Sequence, residues 1–300
     1  MTKTAWVFPG QGSQVIGMGV DLQDIPIAKA KFELAEKILG WSVLDICQGD
    51  ETTLACTLYT QPCLYVVESI LIELLQGKVD LPQLVAGHSL GEYVALYAAG
   101  VFDFESGLRL VKKRAELMNS ADGGKMAALM KFDRDQLTTV LNNTPDVVLA
   151  NDNSEAQVVI SGTPEGVENV LSQVKAKKAI ALNVSGAFHS PLMQGAAAEF
   201  LTVLESVEFK EAKIPVLSNV DPQPTTDSQV LKSKLTQQMT NSVRWRETML
   251  QLAQAGVSEI IEIGPGKVLC GLIKRTCKDI ALEAIGTVEQ LDAKAPALVS

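Results

Sequence analysis

A chain of 300 residues has room for one large α/β unit, or a large unit with a smaller companion, and can bury a substantial core. With 47% hydrophobic and 20% charged residues it has the balance of a folded globular protein, which excludes the disordered and fibrous classes. A net charge of −9 argues against a nucleic-acid role, because phosphate binding needs a basic footprint that releases counterions.

In chain order, Ala5 to Phe8 reads as a short buried strand closed by Pro9-Gly10-Gln11-Gly12-Ser13. Helical spacing follows over 23–39 and 57–76, then a strand over 83–88, a helix opening at GEYVALYAAG, and another helix over 103–119. From Lys125 the segments shorten: KMAALMKF as strand, DRDQLTTVLNN as helix, DVVLAND and AQVVISG as strands, PEGVENVLSQVKAK as helix, and AIALNVS as strand. That β-α-β-β-α-β sequence has the ferredoxin-like order. Flexible joints at Ala121-Asp122-Gly123-Gly124 and Ser185-Gly186 mark it as an inserted small subdomain over 121–187, which splits the large subdomain into 1–120 and 188–300. After residue 190 come a helix opened by Ser190-Pro191, a strand over 215–220, helices over 227–240 and 244–255, and a strand over 259–264. Alternating strands and helices imply an α/β fold with a mainly parallel sheet, helices on both faces, and a tail AKAPALVS that reads as frayed.

The amino terminus MTKTAWVFPGQG lacks the charged region and apolar core of an export signal, and no uninterrupted apolar run approaches the roughly 18 residues of a membrane span. A cytoplasmic location is the expectation. Five cysteines with no CxxC pair are expected to stay reduced, and two histidines without a Cys/His cluster give no reason to expect a metal.

The stretch LVAGHSLGEYVAL places Gly87-His88-Ser89-Leu90-Gly91 between an apolar strand and a helix, the setting of a nucleophile elbow. Ser89 is the candidate nucleophile, since a sharp turn exposes its hydroxyl and the helix amino terminus favours developing negative charge. His88 precedes it on the strand and projects to the opposite side, so it reads as a packed support. His189, just before a helix capped by Ser190, is the remaining candidate base. No acid stands out to orient that imidazole, and a backbone or amide carbonyl is the alternative that the pattern leaves open. The amides of Leu90 and Gln11 are candidate oxyanion donors, a reading preferred to a phosphate loop because the Gly-Lys-Ser/Thr ending is absent.

On the 103–119 helix, Arg114 has Leu110, Val111, Leu117 and Met118 three or four positions away, and so lies on the apolar face. Arg109, with Glu105 four residues back, reads as solvated, as do Lys112 and Lys113. A guanidinium on an apolar stripe must find an anion, either a protein carboxylate or a substrate carboxylate held near Ser89.

Taken together, FPGQGSQ (8–14), GHSLGEY (87–93), KKRAELM (112–118), GAFHSPLM (186–193), LSNVD (217–221), NSVRW (241–245) and EIGPGKVL (262–269) resemble the malonyl-CoA:acyl carrier protein transacylase family, the acyltransferases of fatty-acid and polyketide synthesis. The resemblance implies a hydrolase-like large subdomain with a ferredoxin-like small one, Ser89 as nucleophile, His189 as base, Arg114 as clamp for the malonyl carboxylate, and Gln11 and Leu90 as the oxyanion hole. It implies that the main-chain carbonyl of Gln238 orients the histidine, and that Phe188 and Met118 complete the substrate-binding set, Phe188 in its malonyl-selective form. Ser242 departs from the family, where proline is common. The implied reaction is ping-pong, with malonyl-CoA and phosphopantetheinylated acyl carrier protein as substrates and no bound cofactor. A local basic surface, at Lys112 and Lys113 or in the Lys175-Ala176-Lys177-Lys178 run, is the expected dock for an acidic carrier, although that run reads first as a solvated helix. The alternatives are an acyltransferase serving a polyketide-type pathway, a serine thioesterase or carboxylesterase, and a noncatalytic carrier-binding subunit.

Overall fold

Strands buried on both faces have no reason to alternate polar with apolar side chains, and β1 (Thr4–Phe8, TAWVF) and β2 (Leu84–Gly87, LVAG) do not. The computed structural model describes residues 2–294, and the part of the expected frayed tail from 295 onward lies outside the described residues. Between β1 and β2 run α1 (Pro26–Leu39), α2 (Val43–Gln48), α3 (Glu51–Ala55) and α4 (Thr57–Leu75). After β2 come α5 (Gly91–Ala98) and α6 (Phe104–Asn119), the latter capped by the Asp103 carboxylate on the Ser106 amide.

Next come β3 (Lys125–Phe132), α7 (Arg134–Asn142), β4 (Val147–Ser154), β5 (Gln157–Gly162), α8 (Pro164–Gln173) and β6 (Ala176–Ala181). The chain then continues through α9 (Gln194–Ser206), β7 (Val216–Leu217), α10 (Ser228–Gln237), α11 (Trp245–Gln254), β8 (Glu259–Ile263), α12 (Val268–Thr276), β9 (Ala281–Ile285) and α13 (Val288–Lys294).

The first sheet has the order β7-β2-β1-β8-β9 with every pair parallel, so the carboxyl ends of all its strands point to one edge. One face packs on α4, α5 and α6 through Trp6, Phe8, Val85 and Ile263, the other on α11 and α12 through Val7, Ala86, Ile260, Trp245 and Leu272. Helix α4 is the one described helix long and apolar enough to cross a membrane, and it lies inside the core with Leu64, Tyr65, Ile70 and Leu71 fully buried. The second sheet, β4-β5-β3-β6, is antiparallel throughout, with α7 and α8 on one face over Leu129, Val158 and Ile160. The fold is therefore α/β, with a large parallel-sheet unit and a smaller sheet in the ferredoxin-like order.

Three local expectations shift. The helix expected to run to 177 stops at Gln173, because Val174 is extended (φ −93°, ψ 122°) and buried, and β6 occupies 176–181 in place of 179–185. An edge strand with the mostly exposed sequence AKKAIA carries little period-2 signal, so Lys177 and Lys178 lie on a strand and not on a solvated helix. The strand expected over 215–220 is only Val216–Leu217, after which Ser218 and Asn219 turn inward as buried polar residues. Elements α2, α3, α12, β9 and α13 were not expected. Ser242 belongs to an extended lead-in whose neighbour Val243 bonds with Ala150 and Asp152 of β4, so α11 begins only at Trp245.

Candidate active site

The elbow follows from two glycines. A Cβ on Gly87 would fall 1.9 Å from the carbonyl carbon of Gly91, and one on Gly91 2.0 Å from the carbonyl oxygen of Phe8, so strand and helix can meet this closely only without side chains. Between them Ser89 takes φ 52°, a left-handed conformation that costs a non-glycine residue about 1–3 kcal/mol and is held by its surroundings. Asn219, at the end of β7, does the holding: its Oδ1 accepts from the Ser89 amide at 2.8 Å and its Nδ2 donates to the Gly87 carbonyl at 2.6 Å.

His189 is also left-handed, φ 57°, and buried, in the turn before the short helical segment Pro191–Met193 that Ser190 caps. Its Nε2 lies 2.8 Å from Ser89 Oγ, and its Nδ1 lies 2.9 Å from the main-chain carbonyl oxygen of Gln238, just past α10. A carbonyl only accepts, so Nδ1 carries the proton and Nε2 presents its lone pair to the serine hydroxyl. Burial, and after it the Arg114 charge, hold the imidazole down to about 3, so it is neutral at pH 7. His88 turns the other way, with Nε2 2.7 Å from Asn153 Oδ1 and its ring edge-on to Trp245.

Arg114 is fully buried on the inner face of α6, and among the described residues no carboxylate pairs with it. Its Nη1 donates to Gln61 Oε1 at 2.7 Å, its Nη2 to Ser89 Oγ at 3.0 Å and to Gln238 Oε1 at 3.2 Å, and its guanidinium lies 5.3 Å from the Tyr93 ring centroid. Every hydrogen-bond partner is neutral and Nε has none among the described residues, while the buried Glu92 carboxyl acts on the guanidinium only from beyond Gln238. A buried cation with no directly bonded anion is costly, and an incoming anion removes that cost. Of the two readings of Arg114, direct pairing with a protein carboxylate is not what the described residues show.

The loop after β1 approaches from the other side, with Gly10 against the His88 carbonyl, where a Cβ would lie 2.4 Å from the oxygen. Neither the Gln11 nor the Leu90 amide donates to a protein acceptor among the described residues, so both are available to an oxyanion. Gln11 itself is steadied by a 3.0 Å bond from its Nε2 to Thr57.

These groups enclose a cavity of about 100 Å³, whose lining includes Gln11, Leu90, Met118 and Phe188 as well as Ser89, His189 and Arg114. Wider surface grooves, one of about 620 Å³ beside Val15, Ile16 and Lys267, contain none of the three. The cavity also draws on residues the sequence reading did not single out: Gln61 from α4, Met126 from β3, Asn151 from β4, and Leu182 and Val184 just beyond β6. Of the lysines expected at a carrier dock, Lys112 donates to the Ile38 carbonyl at the end of α1, and Lys113 lies 3.7 Å from Glu199.

A serine between a neutral histidine and a guanidinium bonded only to neutral groups, in a cavity also lined by Gln11 and Leu90, can form and break an ester of a small acid that carries its own negative charge. Comparison with known proteins gives the same chemistry. The acyl transferase domain family matches residues 5–297. A malonyl CoA-acyl carrier protein transacylase of Synechocystis sp. is 60% identical, over 97% of this chain and 99% of that one. The crystal structure of the Synechocystis malonyl-CoA:ACP transacylase superposes with a TM-score of 0.96 at 60% identity, over 97% and 99% of the two chains. A malonyl-transacylase solved in complex with its type II PKS acyl carrier protein superposes with a TM-score of 0.92 at 36% identity, over 98% and 99%.

Proposed function

Because the chain belongs to the malonyl-CoA:acyl carrier protein transacylase family, we propose a role for each residue of the site in that reaction. The enzyme is an acyltransferase of fatty-acid biosynthesis that moves the malonyl group from malonyl-CoA to the phosphopantetheine thiol of acyl carrier protein. The residue roles below are our reading of the geometry.

Nε2 of His189 takes the Ser89 proton as Oγ attacks the thioester carbonyl. The tetrahedral oxyanion is received by the Gln11 and Leu90 amides, and its collapse expels the CoA sulfur, which recovers the proton from His189. A malonyl ester remains on Ser89 with its carboxylate on Arg114. The carrier thiol then yields its proton to the same Nε2 and attacks the ester, and Ser89 leaves as the alcohol. Through its main-chain carbonyl Gln238 holds the histidine in one tautomer through both halves, while Phe188 and Met118 wall the acyl pocket.

The observation that carries this reading is Arg114 Nη2 standing 3.0 Å from Ser89 Oγ, which itself lies 2.8 Å from His189 Nε2. In malonyl the carboxylate lies two bonds from the reacting carbonyl, so an acyl group of that length bridges nucleophile and clamp, and acetyl cannot. Mass spectrometry after mixing the protein with malonyl-CoA, methylmalonyl-CoA and acetyl-CoA in competition tests it. Malonyl on the peptide containing Ser89, and none in Ser89→Ala, is the expected result; label elsewhere, or no preference among the donors, would sink the assignment.

The same reading takes 121–187 as the inserted small subdomain between the two pieces 1–120 and 188–300. It also puts the enzyme in the cytoplasm, a location with which its five free thiols agree.

A further inference from the structure

Glu92 is the one acid in the apolar stretch GEYVALYAAG and it is buried, yet among the described residues it forms no ion pair with a lysine or arginine. Such a carboxyl is costly unless it has a task or a partner. Its Oε2 accepts from Gln238 Nε2 at 2.7 Å and from the Asn219 amide at 3.2 Å, while its Oε1 has no partner.

Gln238 is the hub. Its main-chain oxygen faces His189, its Oε1 faces Arg114 Nη2 at 3.2 Å, and its Nε2 donates to the Ser89 carbonyl at 2.8 Å as well as to Glu92. A primary amide can turn end for end with little change of shape, and turned the other way this one would point its NH2 at the guanidinium. The Ser89 carbonyl and the Glu92 oxygen, which already takes two N–H donors, both accept from Nε2, so the nitrogen end is held between them, and Glu92 is the one of the two that a substitution can change. A glutamine at 92 could take either end, and would leave the Ser89 carbonyl and the 3.4 Å contact with Asn219 Oδ1 to hold the nitrogen.

We propose that Glu92 is a positioning residue: by accepting from Gln238 it keeps that carboxamide with its oxygen on Arg114, and so keeps the guanidinium aimed at the acyl carboxylate beside Ser89. Glu92 itself touches neither Ser89 Oγ nor the substrate's place, and acts through Gln238. The inference rests on Arg114 as the carboxylate clamp.

The test compares kcat/KM for Ser89 acylation by malonyl-CoA and by acetyl-CoA. In Glu92→Gln the malonyl-over-acetyl ratio falls about tenfold, mainly through KM for malonyl-CoA, the size expected when one hydrogen bond to a charged group is lost. Glu92→Asp, which keeps a carboxyl and brings no amide N–H, stays closer to the native ratio. A merely structural role would lower both donors equally, and that result would overturn the proposal. Gln238→Ala gives a second readout: it removes the relay but leaves the main-chain carbonyl, so the double variant with Glu92→Gln loses no more selectivity than Gln238→Ala alone. Additive losses would also overturn it. Arg114→Ala separates the two levels. If its malonyl preference is native the clamp reading fails; if its preference is lost while the Glu92 variants keep theirs, only the relay fails.

Discussion

The main-chain carbonyl of Gln238, 2.9 Å from Nδ1 of His189, stands where a carboxylate orients the histidine in many serine enzymes. A backbone atom cannot be deleted by substitution. We therefore expect Gln238→Ala to keep acetyl-CoA acylation within about tenfold of native, against the roughly 10⁴-fold loss when a triad aspartate is removed. Single-turnover acylation measured by rapid quench checks this, and a collapse of the acetyl rate would mean that the side chain, not the carbonyl, sets the tautomer.

The clamp gives a second expectation. Arg114→Ala loses a charge-assisted contact, for which a drop of about a hundredfold or more in malonyl-CoA kcat/KM is expected, with acetyl-CoA changed far less. Arg114→Lys is no rescue, because a point charge on a flexible stem cannot span Gln61, Gln238 and a carboxylate as the planar fork does. Steady-state kinetics with both donors decide it, and equal losses would remove the clamp.

How much of this could be read from the chain depends on whether the signal is local. Ser89 was legible because Gly87 and Gly91 are demanded by a turn within five residues, and Arg114 because a charge on an apolar stripe is visible at i±3 and i±4. His189 followed by elimination, and Gln238 only by resemblance, since nothing near it shows that a carbonyl 49 residues away in sequence is needed by His189. Asn219 and Glu92 carry only a faint local signal, each being a polar residue that closes or interrupts an apolar segment. Met126, Leu182 and Val184 left none, because apolar residues on or just beyond the strands of the second sheet look the same whether they line its own core or the acyl pocket. A related weakness displaced β6, expected over 179–185 and found at 176–181, because an edge strand with little burial imposes no clear period.

The acyl pocket gives a third expectation. A cavity of about 100 Å³ walled by Phe188, Met126 and Met118 leaves little room for a branch at C2. One methyl group too many typically costs a site about 1–3 kcal/mol, or 10–200-fold. Phe188→Leu and Met126→Ala should each raise methylmalonyl labelling relative to malonyl in competition mass spectrometry. The Met126 variant matters more, because it tests whether the second sheet helps to set specificity. Unchanged ratios there would confine specificity to the large subdomain.

His189 provides a fourth. With its imidazole held down to about 3, chiefly by burial and then by Arg114, the acid limb of the kcat/KM profile for malonyl-CoA should be missing near pH 6.5 and the rate flat on that side down to about pH 5. Arg114→Ala removes the second largest of the depressing causes and moves the limb up toward neutral pH, which acetyl-CoA kinetics can follow. The imidazole also acts on stability. Between about pH 3 and 6.5 the unfolded chain binds this proton and the folded one does not, so stability falls as pH drops through that window, and His189→Gln flattens the fall in Tm. A native profile with a limb at 6.5 would place the base in an ordinary solvated environment.

The last expectation concerns Glu68, buried in the core on α4. Its side chain is fully buried, both carboxyl oxygens lack a hydrogen-bond partner among the described residues, and its Cγ lies against Gly264, next to Pro9 of the loop after β1. Burial first, and the nearby Glu262 second, push its carboxyl well above the usual carboxylate range. The sign is opposite to that of His189. The folded chain keeps this proton above about pH 4.5, where the unfolded chain releases it, so the contribution is intact at low pH and is lost as pH rises toward the folded value. Even as the neutral acid, an unbonded polar group costs about 1–3 kcal/mol. Glu68→Leu is thus expected to raise Tm, with a gain over native that is larger at pH 8 than at pH 5, while Glu68→Gln removes the pH dependence but keeps most of the desolvation cost. Scanning calorimetry of the three proteins at both pH values measures it, and a Glu68→Leu protein that melts below native at pH 8 would show that this carboxyl has a partner.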